Sequence, residues 1–320
     1  MNLRSIFLFL AAFWCTSSAQ AAPLGLWSTP SAADDPRSLA LGGAVTTIGT
    51  AWSALNHNPA GMNQIRQYVS SVGYGGGGDP MNQSFTVAAT DSLMNPAVSM
   101  GMGYTRLILG SGPDQNDGGG NIFRGAMVFS ERSEAMSFHF GTTIHYSDLD
   151  LPSSESSSET SDDDIAAGSF SVFNLNAGIL MVLANKFRIG LLGRNLLSRL
   201  SNGQPRDFVG GLGLVIGPAA LEYSATLDFE TCDTYPEFCS GGAGMTVSHA
   251  AGLELTPTPY FPIRFGYRYD SMGDKHMVSG GLGVITPDFS LEGAYARELS
   301  DDAQQWFGIT VRYFPHIPGT

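Results

Sequence analysis

The cysteines and histidines are the residue types in this sequence most able to do chemistry, provided that their spacing brings them together. Cys232 and Cys239 lie close in the chain, and in an exported protein such a pair predicts a structural disulfide. The pair lacks the Cys-x-x-Cys spacing of redox centres. His139 and His145 lie on one predicted strand, roughly 20 Å apart at about 3.3 Å per residue, too far to share a metal ion. The sequence therefore predicts no metal site.

Signatures of covalent or cofactor chemistry are also missing from the sequence. No Gly-x-Ser-x-Gly elbow and no cofactor fingerprint occurs, so we expect neither an enzyme nor a bound cofactor. An acidic, serine-rich stretch between residues 148 and 164 has a composition that cannot form a core, which predicts a solvated loop. Oxygen-rich loops can also bind Ca²⁺, but residues 153–164 show neither regular ligand spacing nor a glycine turn. A cation site there stays open as the alternative.

Arginines on the polar faces of predicted strands are the remaining residues with chemical potential. A guanidinium can hold a carboxylate through two parallel hydrogen bonds, so an unpaired arginine could attract the head group of an acidic ligand. The same arginines could instead pair with acidic residues on neighbouring strands, and both interpretations stay open. The ligand candidates are Arg124, Arg188, Arg264, Arg268, Arg312 and His139, with Arg194 on a similar face; the acidic partners are Glu222, Asp228, Glu254, Glu292 and Glu298.

Strands must position these residues, because apolar and polar residues alternate with a period of two through most of the chain. Between Ile263 and Asp270, for example, Ile, Phe and Tyr share one face, and Arg, Gly and Asp share the other. A secreted β-sandwich would bury the apolar face, whereas a membrane barrel turns it toward lipid and keeps its lumen polar. Glycine-rich polar faces and aromatic residues near strand ends favour the barrel. The predicted fold class is all-β, a transmembrane antiparallel β-barrel.

The alternation predicts about fourteen strands, and an even number suits a single-chain bacterial barrel. Long or polar loops follow the odd strands and tight turns follow the even ones, so the first strand runs outward and both chain ends lie in the periplasm. In the sixth strand the apolar face changes near Val172, which predicts either a β-bulge or the point where the strand leaves the bilayer. The predicted strands are 67–74, 81–90, 96–106, 121–130, 136–146, 168–182, 186–195, 208–216, 220–229, 245–255, 262–270, 275–285, 289–297 and 305–314.

Composition restricts the location and the partners of the chain. Only 14% of its 320 residues are charged, 40 are glycine, and the formal net charge is −13, whereas soluble proteins carry about 25% charged residues. The acidic balance excludes nucleic acid as a partner, because nucleic-acid binding needs basic patches. Residues 1–21 have the pattern of a signal peptide cleaved after Ala21, and lipidation at Cys15 is the alternative. We therefore expect export to the outer membrane of a Gram-negative bacterium.

Residues 22–66 precede the first strand and do not alternate. Gly42 and Gly43 allow close packing and positive φ, and Pro59 fixes its own φ and keeps Asn58 extended. A small-residue stretch, an Asn-Pro-Ala-Gly turn and then the first strand resemble the FadL-type outer-membrane transporters. Downstream segments 190–195, 262–269 and 280–296 are similar to the same superfamily, including the porins of type IX secretion. The residues that carry the N-terminal resemblance are Gly42, Gly43, Asn56, Asn58, Pro59, Ala60 and Gly61.

The resemblance implies a function as well as a fold. It implies that residues 22–66 form a hatch inside a barrel of residues 67–314, with a plain periplasmic lead-in as the alternative. It further implies passive uptake of hydrophobic small molecules, such as long-chain fatty acids or hydrocarbons, through a barrel surrounded by outer-membrane lipids. The chain is shorter than the well-studied fatty-acid transporters, so its outer loops are trimmed and its substrate stays open. The alternatives are a barrel that binds a secreted or assembly protein, and a structural barrel.

The end of the last strand resembles the signal by which barrel-assembly machinery recognises its substrates, so we expect that machinery as a partner. The signal residues are Tyr313 and Phe314. Pro315 cannot donate to a strand ladder and should end the strand. Residues 315–320 are therefore predicted to form a short tail.

Overall fold

A computed structural model describes residues 35–78, 81–110, 118–151, 168–197, 206–228, 245–271, 274–300 and 303–315. The predicted signal peptide, the Cys232–Cys239 disulfide, the acidic loop 153–164 and most of the C-terminal tail lie outside these residues. So does the first part of the predicted hatch, residues 22–34. No helix among the described residues is long and apolar enough to cross a membrane.

The described chain is built almost entirely from strands, as the alternation predicts. Two short helices, α1 (Pro36–Ala40) and α2 (Ala51–Asn56), and a 3₁₀ helix (Pro59–Asn63) come first. The strands are β1 (Tyr68–Gly77), β2 (Asn82–Asp91), β3 (Val98–Leu109), β4 (Gly118–Arg132), β5 (Met136–Leu151), β6 (Gly168–Leu183), β7 (Phe187–Arg194), β8 (Asp207–Ile216), β9 (Ala219–Asp228), β10 (Thr246–Leu255), β11 (Ile263–Asp270), β12 (Lys275–Ile285), β13 (Phe289–Glu298) and β14 (Gln305–Tyr313).

The fourteen strands form one closed antiparallel barrel in which each strand pairs with its sequence neighbours and β14 pairs with β1. The predicted strand number and antiparallel order are therefore confirmed. Closure leaves no free sheet edge, so every strand can satisfy its backbone hydrogen bonds within the sheet. That is the condition that a strand must meet to cross a bilayer.

The burial pattern shows which face of the sheet points outward. Along β14, Phe307, Ile309 and Val311 are 40%, 48% and 50% exposed, while the alternate residues Thr310 and Arg312 are buried. The same apolar outer face continues on other strands, for example at Phe265 (53% exposed). A sandwich would bury these side chains; here they form an apolar outer wall that only lipid can cover. The barrel alternative is therefore confirmed over the β-sandwich.

Several strand bounds differ from the sequence prediction, and the largest differences concern β5 and β6. Strand β5 continues to Leu151, five residues beyond the predicted end, and there its outer face carries Asp148 and Asp150. The bulge predicted near Val172 is wrong, because β5 and β6 keep one register from Met136↔Leu183 to Leu151↔Gly168. Val172 is an apolar residue on the inner face, which explains the apparent change of phase.

The short connections between β4 and β5, β6 and β7, β8 and β9, and β12 and β13 all lie at one end of the barrel, called here the short-turn end. We expect this end to face the periplasm. A cysteine placed at Asn185 or Gly217 should then resist an impermeant maleimide in intact cells, whereas a cysteine placed within 153–160 should react. Labelling at Asn185 in intact cells would invert the orientation.

The last strand supports a second prediction, on assembly. Tyr313 is 55% exposed on the outer face, and the amide of Phe314 still donates to the carbonyl of Asp288 at 2.7 Å. Replacing Phe314 with Asp should deplete the protein from outer-membrane fractions because it places a charge at the lipid boundary and in the aromatic signal. Phe314→Leu and deletion of residues 316–320 are the matched controls and should leave the amount unchanged. Normal assembly of the Phe314→Asp variant would show that Phe314 is not part of the signal.

Candidate functional site

Residues 35–66, called here the N-terminal segment, precede β1, and all but the exposed Ile65 and Arg66 pack against the inside of the closed sheet. The segment contacts inward-facing positions on strands from several sides of the barrel. Trp52 lies against Gly73 of β1, Thr46 against Gly190 of β7, and Leu41 against Gly252 of β10. Most side chains of α1, α2 and the 3₁₀ helix are buried. The segment therefore contacts the inner wall on several sides of the barrel.

The segment packs closely because the inner wall is rich in glycine. At Gly141 of β5, an added Cβ atom would lie 2.7 Å from the carbonyl carbon of Pro59 and 3.0 Å from Cα of Ala60. Both distances are shorter than real carbon contacts, so only glycine allows this approach. Apolar contacts supplement the fit, and the largest buried cluster joins the segment to β2 and β4. Its members are Trp52, Ala54, Leu55, Met62, Ala88, Ala126 and Val128.

The Asn-Pro-Ala-Gly turn opens the 3₁₀ helix against β5 and β6. Asn58 caps this helix, since its Oδ1 accepts from the amide of Ala60 at 3.2 Å. Its Nδ2 donates to the carbonyl of Thr46 at 2.8 Å and to that of Ile179 at 3.4 Å. Pro59 is the first residue of the helix and Gly61 lies within it. The turn therefore links two parts of the N-terminal segment to the barrel wall.

The other predicted residues of the hatch lie nearby. Gly42 and Gly43 have φ values of +66° and +89°, in the left-handed region, and follow α1. An added Cβ at Gly42 would lie 3.0 Å from the carbonyl oxygen of Tyr267, so this turn also touches the wall. Asn56 is the last residue of α2. Gly42, Gly43, Asn58, Pro59 and Ala60 thus contact the inner wall, whereas Gly61 packs within the segment, against Gly49 and Ala54.

Buried charges hold the segment to the wall formed by β10, β11, β13 and β14. Glu292 is 1% exposed and accepts from two guanidinium groups, Arg312 at 2.7 Å and Arg264 at 2.6 Å. Arg264 also pairs with Glu254 at 2.5 Å. Two predicted ligand candidates, Arg264 and Arg312, therefore take the pairing alternative.

The N-terminal segment supplies the remaining members of this network. Arg37 donates through Nε and Nη2 to both carboxylate oxygens of Glu254, each at 3.0 Å, and Asp35 lies 3.4 Å from Nη2 of Arg312. Three carboxylates then face three guanidiniums, so the cluster carries no formal net charge, as burial requires. The arginine–carboxylate network consists of Asp35, Arg37, Glu254, Arg264, Glu292 and Arg312.

Glu222 makes a second attachment, to backbone instead of arginine. Its carboxylate accepts from the amides of Thr47, at 3.0 Å, and Ile48, at 2.9 Å, and from the hydroxyl of Thr47 at 2.8 Å. Successive amides that converge on one carboxylate form an anion-binding nest. The predicted pairing of Glu222 with an arginine is thus replaced by a contact with the N-terminal segment.

The opposite wall, formed by β4 to β7, holds the segment through neutral acceptors. Nη1 of Arg188 donates to Oε1 of Gln64 at 2.5 Å, and Arg132 donates to the carbonyl of Asn63. His139 is 2% exposed, and its ring nitrogens lie 2.7 Å from Oγ of Ser130 and 3.0 Å from Oγ of Ser137. Both nitrogens of His139 are therefore engaged with hydroxyl groups.

The remaining arginine candidates lie elsewhere and are not brought together. Arg124 donates to Oγ1 of Thr105 at 3.0 Å, and Nη2 of Arg268 lies 3.8 Å from Asp270. Arg194 pairs with Asp207 at 2.6 Å. Among the predicted candidates, Arg264 and Arg312 belong to the arginine–carboxylate network. Arg188 and His139 contact partners on the β4–β7 side, and Arg124, Arg194 and Arg268 make separate contacts. No three His, Cys, Asp or Glu residues in the described part of the chain are grouped as metal ligands would be.

Sequence reasoning missed the residues of the N-terminal segment that hold it in place. Asp35 and Arg37 are the only formally charged residues between positions 35 and 65. Isolated charged side chains among small and apolar residues indicate that each of them meets a partner of opposite charge. Gln64 gave no such signal, because an amide is common in turns.

Comparisons with known proteins identify the fold of this chain but no sequence family. No protein-family model matches the chain, and no curated protein does. Solved structures match over nearly the whole barrel: the CymD monoaromatic hydrocarbon channel has 13% identity and a TM-score of 0.61, with 89% of this chain and 98% of that chain covered. The Ralstonia pickettii toluene transporter TbuX has 12% identity and a TM-score of 0.62, with 88% and 98% covered.

A third match is a Pseudomonas aeruginosa FadL homologue, with 12% identity and a TM-score of 0.60, covering 88% of this chain and 98% of that chain. Identities this low carry the fold alone. The chain therefore has the fold of the FadL-type outer-membrane transporters, which confirms that expectation from the sequence.

Proposed function

We propose that this chain is an outer-membrane transport protein for the passive uptake of hydrophobic small molecules, with residues 22–66 as the hatch that gates its barrel. The observation that carries the proposal is the combination of an apolar outer wall with an N-terminal segment that packs against the inner wall on several sides of the barrel. Such a barrel excludes free flow of polar solutes, unlike an open porin. The three similar structures, a monoaromatic hydrocarbon channel, a toluene transporter and a FadL homologue, support the same class of substrate.

The way in which the N-terminal segment is attached also supports a gate. It is attached by side-chain hydrogen bonds, ion pairs and short apolar contacts, whereas the wall is held by continuous backbone ladders. The strands of the wall are joined into one cooperative unit, whereas the N-terminal segment can change position without breaking the backbone ladder of the wall. Outer-membrane lipids surround the barrel, and the ligand is a fatty acid or a hydrocarbon that those lipids would otherwise exclude.

A structure of the full-length protein with bound ligand tests the proposal. The protein is purified from membranes in a mild detergent, incubated with toluene or with a long-chain fatty acid, and solved. We expect density for the ligand in contact with the N-terminal segment inside the barrel. An empty lumen with both ligands, together with recovery of a bound secreted protein, would contradict uptake and support the protein-binding alternative.

A further inference from the structure

The outer wall formed by β3 to β6 changes from aromatic to polar over two successive rows of the sheet. In the first row the register joins Tyr104, Phe123, Tyr146 and Phe173, and the ring centres of Tyr104 and Phe123 lie 5.0 Å apart. Outward-facing rings of this kind mark the level where the hydrocarbon of a membrane meets its head groups. The row lies toward the end of the barrel opposite the short turns, which we expect to face the outside of the cell.

The next row outward carries hydrogen-bonding side chains instead of rings. It consists of Arg106, Asn121, Asp148 and Ser171 in register. Oδ1 of Asn121 accepts from Nη1 of Arg106 at 3.2 Å and from the hydroxyl of Tyr104 at 2.8 Å. On the other side of the row, Ser171 donates to Asp148 at 2.7 Å. These bonds orient a guanidinium and a carboxylate at the level where lipid head groups lie.

A groove of about 460 Å³ lies among these polar side chains. Its floor is the glycine-rich start of β4, where Gly119 lies between Ile108 of β3 and Asp150 of β5 in the register. A Cβ atom added at Gly119 would lie 3.6 Å from Nη2 of Arg106, so the guanidinium borders the floor. Asp148 and Asp150 line the groove from β5. The groove therefore has a cation on one side and two carboxylates on the other.

The opposite charges of the groove do not neutralise each other. Arg106 and Asp148 share a row of the sheet, but two strand spacings of about 4.8 Å separate their backbones. Among the described residues, Arg106 makes no ion pair, and its single hydrogen bond is the one to Asn121. Asp150 is exposed and has neither a hydrogen bond nor an ion pair with any described residue. Within the described chain, both groups are thus available to a ligand that reaches across the groove.

We propose that this groove binds the head group of a phosphorylated glycolipid of the outer leaflet. Arg106 binds the phosphate, because a guanidinium can form two parallel hydrogen bonds with it. Asp148 and Asp150 accept from hydroxyl groups of the sugar, and the glycine floor lets the sugar ring approach the backbone closely. The acyl chains of the lipid then extend over the aromatic row toward the middle of the membrane.

The carboxylates are the reason for a sugar in the ligand. A head group that carried phosphate alone would leave Asp148 and Asp150 without donors and would be repelled by them. The ammonium group of phosphoethanolamine is the competing donor, but a sugar ring between phosphate and hydroxyl groups spans the two strand spacings better than a two-carbon link does. The site lies on the outer surface of the barrel, so it is separate from the proposed route of uptake and from the N-terminal segment.

The test titrates the purified full-length protein, in a nonionic detergent, with lipids of defined head group and counts bound lipid by native mass spectrometry. The probes are lipid A with its phosphates, the same lipid A without phosphates, and phosphatidylethanolamine. We expect the phosphorylated lipid A to bind about tenfold more tightly than either of the others. Arg106→Gln should reduce its affinity to that of the phosphate-free lipid. Asp150→Asn should weaken the phosphate-free lipid several-fold, because a hydroxyl donates more strongly to a carboxylate than to an amide.

The matched control is Arg297→Gln. Arg297 is an exposed guanidinium on the outer face of β13 at the same end of the barrel, but its register neighbours are Val278 and Gln305. This variant should bind all the probes as the wild type does. An equal loss of affinity in the Arg106 and Arg297 variants would reveal general charge attraction and overturn the site.

Two further outcomes would also overturn the inference. Unchanged binding of phosphorylated lipid A by Arg106→Gln would show that the guanidinium does not hold the phosphate. Phosphatidylethanolamine that binds as tightly as lipid A would show that the occupant is not a glycolipid. Each variant is exposed on the outer wall and should keep its heat-modifiable mobility in gels, so a change in lipid binding is not a change in folding. None of these results bears on hydrophobic uptake, which is measured separately.

Discussion

Deleting residues 35–63 should convert a closed barrel into a conducting pore. The deletion removes α1, α2 and the 3₁₀ helix, which pack against inward-facing positions on strands from β1 to β14 and which we propose to occlude the lumen. The barrel itself should still fold, because its strand ladders close without the segment. The charges of Glu222, Glu254 and Glu292 would then face water, where they carry no burial cost. In planar bilayers we expect stable open channels from the deletion variant and a closed baseline from the intact protein.

The matched control for this deletion is removal of residues 316–320, which follow the last strand. That variant should stay closed. Heat-modifiable migration in gels checks that each variant contains a folded barrel. Equal conductance of intact and 35–63-deleted barrels would mean that the segment does not occlude the lumen in the membrane, and the hatch would have to be abandoned.

Replacing Glu292 with Gln should give the largest stability loss of any single change in the lumen. Glu292 is the hub of the arginine–carboxylate network and bonds both Arg264 and Arg312. Without its charge, only Glu254 and Asp35 are left to balance the three guanidiniums of the network. Breaking a buried pair of this kind costs about 3–5 kcal/mol. The midpoint of urea unfolding of the detergent-solubilised protein should fall accordingly.

The control for Glu292→Gln is Glu131→Gln, the same chemical change at an exposed position of β4. Exposed charges contribute about 1 kcal/mol or less, so its unfolding midpoint should stay near that of the wild type. The Glu292 variant should also show transient channel openings, because the network attaches the N-terminal segment to the wall. Unfolding midpoints that coincide for both variants would show that the network contributes nothing to the folded state.

The strands could be predicted from the sequence because a period of two with one apolar face is a strong signal, and β11 shows it in every residue. The errors fell where this signal fades. The last residues of β5 carry Asp148 and Asp150 outward, beyond the apolar band, so they resemble a loop. The start of β4 is Gly118–Gly119–Gly120, which has no side chains to alternate. Val172 is apolar and faces inward, which breaks the pattern without bending the strand.

The pairing of the lumen charges could not be predicted in the same way. Which acid meets Arg264 depends on register, which sets Glu254 directly opposite it, and on a segment that reaches the site from a position 217 residues away in sequence. The role of Glu222 needed the backbone of Thr47 and Ile48, which no side-chain pattern reveals. Composition could identify polar inner faces, but only the closed barrel shows which charges the N-terminal segment neutralises.

Selective uptake in whole cells tests the central claim most directly. The intact protein and the 35–63 deletion are expressed in a Gram-negative strain that lacks other hydrophobic-substrate channels and general porins. Entry of a labelled long-chain fatty acid, of toluene and of a small sugar is then timed. We predict that the intact protein speeds entry of at least one hydrophobic solute but not of the sugar, whereas the deletion admits the sugar. Sugar entry through the intact protein, or no acceleration of either hydrophobic solute, would contradict a hatch-gated hydrophobic transporter.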